Sequence, residues 1–219
     1  MNHIERAPGA LFVVLEGGDG AGKSTQAALL AGHLQERGRD VVRTREPGGT
    51  PIGEKLRSLV LDHGHGEVDA RTEALMFAAA RAAHVEQLIA PALCRGATVV
   101  CDRYIDSSVA YQGTGRGLGT DEVLGLNRWA TGGLRPDLTI LLDVDPQAGR
   151  HRRTAGQAAE DRLESEPDDF HARIRQAFLD RATHDDGAYL VLDASLGVED
   201  LAAQIAAAVD AIGTAGPDS

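Results

Sequence analysis

The stretch Leu11-Phe12-Val13-Val14-Leu15-Glu16-Gly17-Gly18-Asp19-Gly20-Ala21-Gly22-Lys23-Ser24-Thr25 decides how the rest of the chain is read. Leu11 to Leu15 is a short apolar, β-branched run, the pattern of a buried strand. Gly17 to Ser24 fits G-x-x-x-x-G-K-[ST] in full, the spacing of a phosphate-binding loop. Gly17, Gly20 and Gly22 let the backbone turn sharply and bring its N–H groups close to phosphate oxygens. Lys23 can reach β- and γ-phosphates, and the Ser24 hydroxyl can hold Mg²⁺. A helix starting near Lys23 points its positive end at the anion. The loop alone says that a nucleoside triphosphate binds; a second substrate must be read elsewhere.

Length and composition bound the rest. At 219 residues the chain suits one α/β domain with a sizeable core. The net charge of −11, from 33 acidic and 22 basic residues, argues against sequence-independent nucleic-acid binding, which needs a basic footprint. Small phosphorylated ligands fit this balance, because a few Arg and Lys can dominate one pocket. Cys94 and Cys101 read as small core hydrophobes, without the partners of a metal site. No apolar run is long enough to span a bilayer, and the N-terminus lacks an apolar leader segment, so a cytoplasmic protein without membrane partners is expected.

Along the chain, strands are expected near about 10–16, 40–44, 97–101, 138–142 and 189–192. Helices are expected near about 23–37, 51–61, 70–93, 121–130, 146–154, 167–184 and 198–212, with another starting at Asp106 or Ser107. Strict alternation predicts a three-layer α/β fold, a five-stranded parallel sheet flanked by helices, with ligands at the carboxyl ends of the strands. Residues 1–219 form one domain in this reading, 1–9 and 213–219 are flexible tails, and 113–119 is a glycine-rich loop. His63-Gly64-His65-Gly66 reads as a solvated loop rather than a metal site.

Further candidates lie beyond the loop. The strand ending in Asp102 and the strand ending in Asp143 both offer an acid for Mg²⁺; Asp102 is preferred because Arg103 follows it, and Asp143 then reads as a strand-end acid. A polar segment at 150–166 carrying Arg150, Arg152 and Arg153 has the makings of a closing lid. Phe77 and Arg81, four apart, share a helix face; the Phe is either core or a platform for a base, with Arg81 donating to a carbonyl oxygen.

Taken in order, these segments resemble the bacterial thymidylate kinase family of nucleoside monophosphate kinases. The resemblance rests on Glu16 to Thr25, Thr44-Arg45-Glu46-Pro47-Gly48-Gly49-Thr50, Glu54-Lys55-Leu56-Arg57, Glu73 to Arg81, Asp102-Arg103-Tyr104, Ser107 to Gly113, Pro136 to Thr139 and Asp161-Arg162-Leu163-Glu164. It implies a P-loop NTPase fold, transfer of the γ-phosphoryl of ATP to dTMP in dTTP synthesis, and a homodimer. It implies that Gly17, Gly18, Asp19, Gly20, Ala21, Gly22, Lys23, Ser24 and Thr25 bind ATP, and that Ser24 and Asp102 serve the metal. It puts Phe77 on the thymine, Arg81 at its O4, Ser108 and Gln112 at the base edge, and Tyr111 beneath the sugar. Asp19 would contact the acceptor sugar, Arg103 with Arg45 and Arg57 would hold the acceptor phosphate, and Glu46 belongs to the same set, beside a Pro47 that can follow a cis bond. Positions 18–21 lack the arginine that one branch of the family carries, which assigns that charge to the lid, with Arg152 first and Arg150 and Arg153 next. Lys23, Arg103, Arg152 and Asp19 are thus the expected catalytic set. The rivals are a kinase for another nucleotide such as dUMP or CMP, a P-loop switch acting on a protein partner, and a nucleotide-binding module without activity.

Overall fold

The computed structural model describes residues 4–155, 160–184 and 187–214. Five strands form one parallel sheet in the order β2-β3-β1-β4-β5, with β1 Leu11–Gly17, β2 Val41–Arg45, β3 Thr98–Asp102, β4 Leu138–Asp143 and β5 Tyr189–Asp193. All seven residues of β1 are buried, because helices cover both faces of the sheet. Its side chains alternate between two cores. Leu11, Val13 and Leu15 pack with helices α1 Lys23–Glu36 and α9 Val198–Thr214 through Leu30, Leu34, Leu201, Ile205 and Val209. Phe12 and Val14 face the other way, onto Val85, Ile89, Leu93 and Tyr104. Phe12 is fully buried and meets the Tyr104 ring edge-on at 5.0 Å. Phe12→Ala is therefore expected to cost about 3–5 kcal/mol in urea denaturation; a loss below about 1 kcal/mol would show that this core relaxes around the deletion.

Helix α3 Ala70–His84 packs against α2 Pro51–Leu61 and α6 Thr120–Ala130, and α7 Pro146–Thr154 and α8 Asp168–His184 follow β4. The long helix expected over 70–93 is one run with a defect: α3 passes through a π-helical turn, Val85–Ile89, into α4 Ala90–Cys94. Pro91 at the start of α4 has no N–H to continue the ladder, and the wider turn precedes it. After β3, the short helix α5 Ile105–Ser108 also opens into a π-helical segment, Val109–Gly115. Residues 113–115 are thus helical, where a loop was expected.

Other expectations change at the edges. Residues 4–9 are held to the body: Arg6 spans both oxygens of Asp137 at 2.7 and 2.8 Å, and the Ala7 N–H donates to the Leu93 carbonyl. Helix α9 continues through residues 213 and 214, while residues 1–3 and 215–219 of the expected tails lie outside the described residues. Residues 156–159 of the expected lid lie outside them as well. Cys101 is buried, as read from the sequence, but Cys94 at the end of α4 is exposed. Among the described residues no helix is long and apolar enough to cross a membrane.

Candidate active site

The strand ends converge on one cavity of about 740 Å³, lined by Asp19 to Gln26, Arg45, Glu46, Pro47, Arg57, Phe77, Arg81, Asp102, Arg103, Ser108, Tyr111, Gln112, Arg152 and Arg153. Gly17 and Gly18 stand behind it at the end of β1, so every expected site residue lies at or beside this cavity. The loop between β1 and α1 turns on left-handed glycines, with φ of 77° at Gly20 and 92° at Gly22. The Lys23 ammonium donates to the Gly18 carbonyl at 2.7 Å. Burial, and then the Arg103 charge, pull its pKa down to about 8 against the opposing pull of Asp19 and Asp102.

The lid helix rests directly on this loop. A Cβ at Gly20 would lie 2.1 Å from the Gly149 carbonyl oxygen, and a Cβ at Gly149 would lie 2.4 Å from the Asp19 carbonyl oxygen. Two bare backbones therefore bring α7, with Arg150, Arg152 and Arg153 on it, against the phosphate-binding loop. Arg152 turns its Nη1 to the Ala194 carbonyl at 2.9 Å, and Arg153 pairs with Glu160 at 2.8 Å. The Arg153 charge is felt at Asp19, whereas Arg150 points outward to Asp168 and Glu160. Arg152 and Arg153 both line the cavity, whereas Arg150 does not.

Asp102 closes β3, and the Ser24 hydroxyl donates to its Oδ2 at 2.5 Å. Asp143 is instead held by Arg175 at 2.6 and 2.8 Å, which matches its reading as a strand-end acid. Arg103 follows with φ 70°, the left-handed region in a non-glycine residue, an arrangement that costs about 1–2 kcal/mol and persists where the surroundings impose it. Those surroundings are specific. Its guanidinium pairs with Asp19, donates to the Gly17 carbonyl at 3.1 Å and to Ser107 Oγ at 2.9 Å, and lies 5.3 Å from the centre of the Tyr111 ring. Tyr111 in turn donates its hydroxyl proton to Asp19 at 2.7 Å. Burial works to raise the Asp19 carboxyl, but Arg103, Lys23 and the Tyr111 hydrogen bond outweigh it and hold it well below the usual carboxylate range. Behind Arg103, Glu16 accepts from Ser107 Oγ at 2.6 Å and from the Tyr104 N–H at 2.8 Å. Burial and the nearby Asp106 push the Glu16 carboxyl up to about 7.

Two more cations face the same space. Arg57 donates to the Pro47 carbonyl at 3.1 Å, and Arg45 pairs with Glu54 at 2.9 Å. Burial and then the like charge of Arg45 lower the Arg57 pKa. The Glu46-Pro47 peptide between them is cis.

The far end is fixed by a buried polar chain. Phe77 is 8 % exposed, packs in a cluster with Tyr111, Leu163 and Phe170, and also lines the cavity. Arg81 is 2 % exposed. It donates to Glu46 Oε2 at 2.5 Å, Ser108 Oγ at 2.9 Å, the Tyr104 carbonyl at 2.8 Å and Asn127 Oδ1. Glu46 Oε1 meets His84 Nδ1 at 2.9 Å, and His84 Nε2 meets Thr44 Oγ1 at 2.7 Å. Glu46 thus lines the cavity while its carboxylate is engaged by Arg81 and His84. Cys101 completes a buried group of possible ligand atoms with these two, but the hydrogen bonds already made by Glu46 and His84 account for the group without an ion.

Sequence reasoning assigned no role to Glu16, Glu73, Asn127 or Arg162. Glu16 had a signal, an acid ending an otherwise apolar strand. Glu73 and Arg162 lay inside the quoted motifs. Nothing local marks Asn127, which sits in an ordinary helical stretch.

A glycine loop between β1 and α1 with Lys23 and Ser24 at the helix start, Asp102 beside Ser24, and Arg103, Arg45, Arg57 and Phe77 lining the same cavity fit a P-loop nucleoside monophosphate kinase. The chain belongs to the thymidylate kinase family, whose family model matches residues 15–205. It is 53% identical over 206 residues to a thymidylate kinase of Clavibacter michiganensis subsp. michiganensis, covering 94% of this chain and 97% of that one. It is 54% identical over 200 residues to a thymidylate kinase of Leifsonia xyli subsp. xyli, covering 91% and 94%. The crystal structure of thymidylate kinase from Ehrlichia chaffeensis superposes with a TM-score of 0.75 at 31% identity, covering 92% of this chain and 100% of that one.

Proposed function

We propose that the chain transfers the γ-phosphoryl of ATP to dTMP, giving dTDP and ADP for dTTP synthesis. What supports the mechanism is the shared cavity, which Lys23, Asp19 and Arg103 all line and in which Arg103 pairs with Asp19. Phosphoryl transfer to an acceptor that is already an anion needs little general base and much positive charge, correctly placed. Lys23 and the loop amides from Gly17 to Thr25 hold the ATP phosphates; Arg45, Arg57 and Arg103 hold the dTMP phosphate. Arg152 and Arg153 add the lid's charge, and α7 closing on the loop excludes water so that hydrolysis does not compete.

The donor set at Ser24 and Asp102 is hard oxygen and fits Mg²⁺. Ser24 and Asp102 would hold such an ion, which would supply positive charge to the transferring phosphates. Asp19, fixed as an anion by Arg103, accepts from the acceptor sugar's hydroxyl, and Tyr111 packs beneath the sugar. At the base end Phe77 stacks on thymine, one Nη2 hydrogen of Arg81 serves O4, and Ser108 and Gln112 lie along the edge. Glu46 supports Arg81 rather than the ligand. Exposed Leu75 and Trp129 on α3 and α6 support a homodimer, and the two free thiols support a cytoplasmic location.

Coupled ADP production with dTMP, dUMP, dCMP, AMP and dGMP tests the reading. Turnover led by dTMP is expected; dCMP or AMP ahead of it, or hydrolysis indifferent to any monophosphate, overturns it. Phe77→Ala is expected to raise the KM for dTMP about 10–100-fold, the value of one lost base-stacking platform, with KM for ATP unchanged. An unchanged dTMP KM would return Phe77 to a purely core role.

A further inference from the structure

We propose that Glu73 is a positioning residue that selects the base, by fixing which edge of the Gln112 amide faces it, while the same carboxylate latches the lid. The inference rests on the reading that Gln112 lies along the base. Glu73 is in the first turn of α3 and fully buried, outside the catalytic set. Four hydrogen bonds from three side chains end on it. Gln112 Nε2 donates to Oε1 at 2.9 Å, Arg116 donates through Nε and Nη2 at 3.2 Å each, and Arg162 donates through Nη2 to Oε2.

An amide side chain carries a donor and an acceptor that sterics alone barely distinguish. A carboxylate facing two guanidiniums only accepts, so the Gln112 NH₂ must point at Glu73. The Gln112 carbonyl oxygen is left for the cavity, which Gln112 lines. That oxygen accepts from a base whose edge presents a ring N–H, as thymine and uracil do at N3. Cytosine presents a lone pair at N3, so two acceptors would face each other in a site where unpaired polar groups are costly. Glu73 thus converts an ambiguous amide into a one-way reader.

The other partners tie this reader to the lid. Arg162 also donates to the Val60 carbonyl at 2.9 Å, and its N–H donates to the Leu61 carbonyl. Arg116 also bonds Glu166 at 2.5 Å and lies 5.2 Å from the centre of the Phe170 ring. Arg162, and Glu166 through Arg116, are therefore pinned on the residue that orients the base reader, so one carboxylate joins that reader to this stretch of the lid.

The test compares kcat/KM for dTMP and dCMP in the wild type, Glu73→Gln, Glu73→Asp and Arg162→Gln. In Glu73→Gln the new amide can accept or donate, so Gln112 is free to turn; the dTMP:dCMP ratio is expected to fall about tenfold, one misplaced hydrogen bond. Glu73→Asp keeps the charge but withdraws it from Gln112, and is expected to fall part of the way. Arg162→Gln should leave the ratio within about twofold and raise ATP hydrolysis without acceptor, because only the latch is cut. A merely structural Glu73 lowers both kcat/KM values together; an unmoved ratio in Glu73→Gln, or in Glu73→Asp if the first variant does not fold, overturns the proposal. So does an Arg162→Gln ratio that falls as far as that of Glu73→Gln. A wild type that does not prefer dTMP overturns the function reading itself, before any variant is compared.

Discussion

Lys23→Ala is expected to lower kcat by about 10²–10³-fold, the scale of losing one preorganised charge at the transferring group, while the fold survives. The ammonium is buried and donates to the Gly18 carbonyl. Its folded pKa is depressed from 10.5 to about 8. Between these values the unfolded chain holds more protons on Lys23 than the folded one, so stability rises with pH across that window and the charged lysine opposes folding below it. Alanine removes that opposition, and the variant is expected to melt no lower than the wild type at pH 7. The same shift sets the alkaline limb of activity. kcat/KM for ATP should be flat below pH 8 and decline above it, by up to about tenfold per unit, as the ammonium is lost from the free enzyme. Near-normal turnover in the alanine variant, or a profile flat to pH 10, would remove Lys23 from the chemistry.

Arg103→Gln is the second large effect. It should cost about 10²–10³-fold in kcat/KM for dTMP, because on the proposed reading Arg103 holds the acceptor phosphate and an amide has neither its charge nor its fork. The change also reaches Lys23. Arg103 is the like charge that lowers the Lys23 pKa, second only to burial. Without it the ammonium is easier to keep, and the alkaline limb of kcat/KM for ATP should move above pH 8. Asp19 loses its main opposing cation at the same time, so its carboxyl should rise from its depressed position. A variant with lost dTMP activity but an unmoved alkaline limb would mean that Arg103 and Lys23 do not sense one another, although both border Asp19 in the same cavity.

Most of the fold was legible because β1 announces itself. An apolar run that ends in a glycine loop and a helix can only be a central strand, and its alternation between two cores follows from the pleat. The phosphate end of the site was legible for the same local reason, with Lys23 and Ser24 within one motif and Arg103 next to Asp102. Residues 113–115 of the π-helical segment were hidden, because four glycines within residues 113–119 read as a loop when the packing of Gly115 against Phe170 and Ile174 is not visible. Glu73 was hidden for another reason. Its meaning lies in partners 39 and 89 residues away, Gln112 and Arg162, and in isolation it is an acid in the first turn of a helix. That Arg152 and Arg153 line the cavity while Arg150 pairs with Asp168 follows from the helical phase of α7, which the sequence pattern leaves open.

The bare contact between Gly20 and Gly149 makes loop and lid a single unit of inheritance. A side chain at either position would drive the two backbones apart, so neither segment can diverge alone. A kinase that carries an arginine inside this loop would have to seat its lid differently, and a graft of such a lid onto this chain must bring its own loop with it. The boundary for recombining relatives therefore falls before Gly17 and after the lid, so that the loop, β4 and the lid are exchanged together.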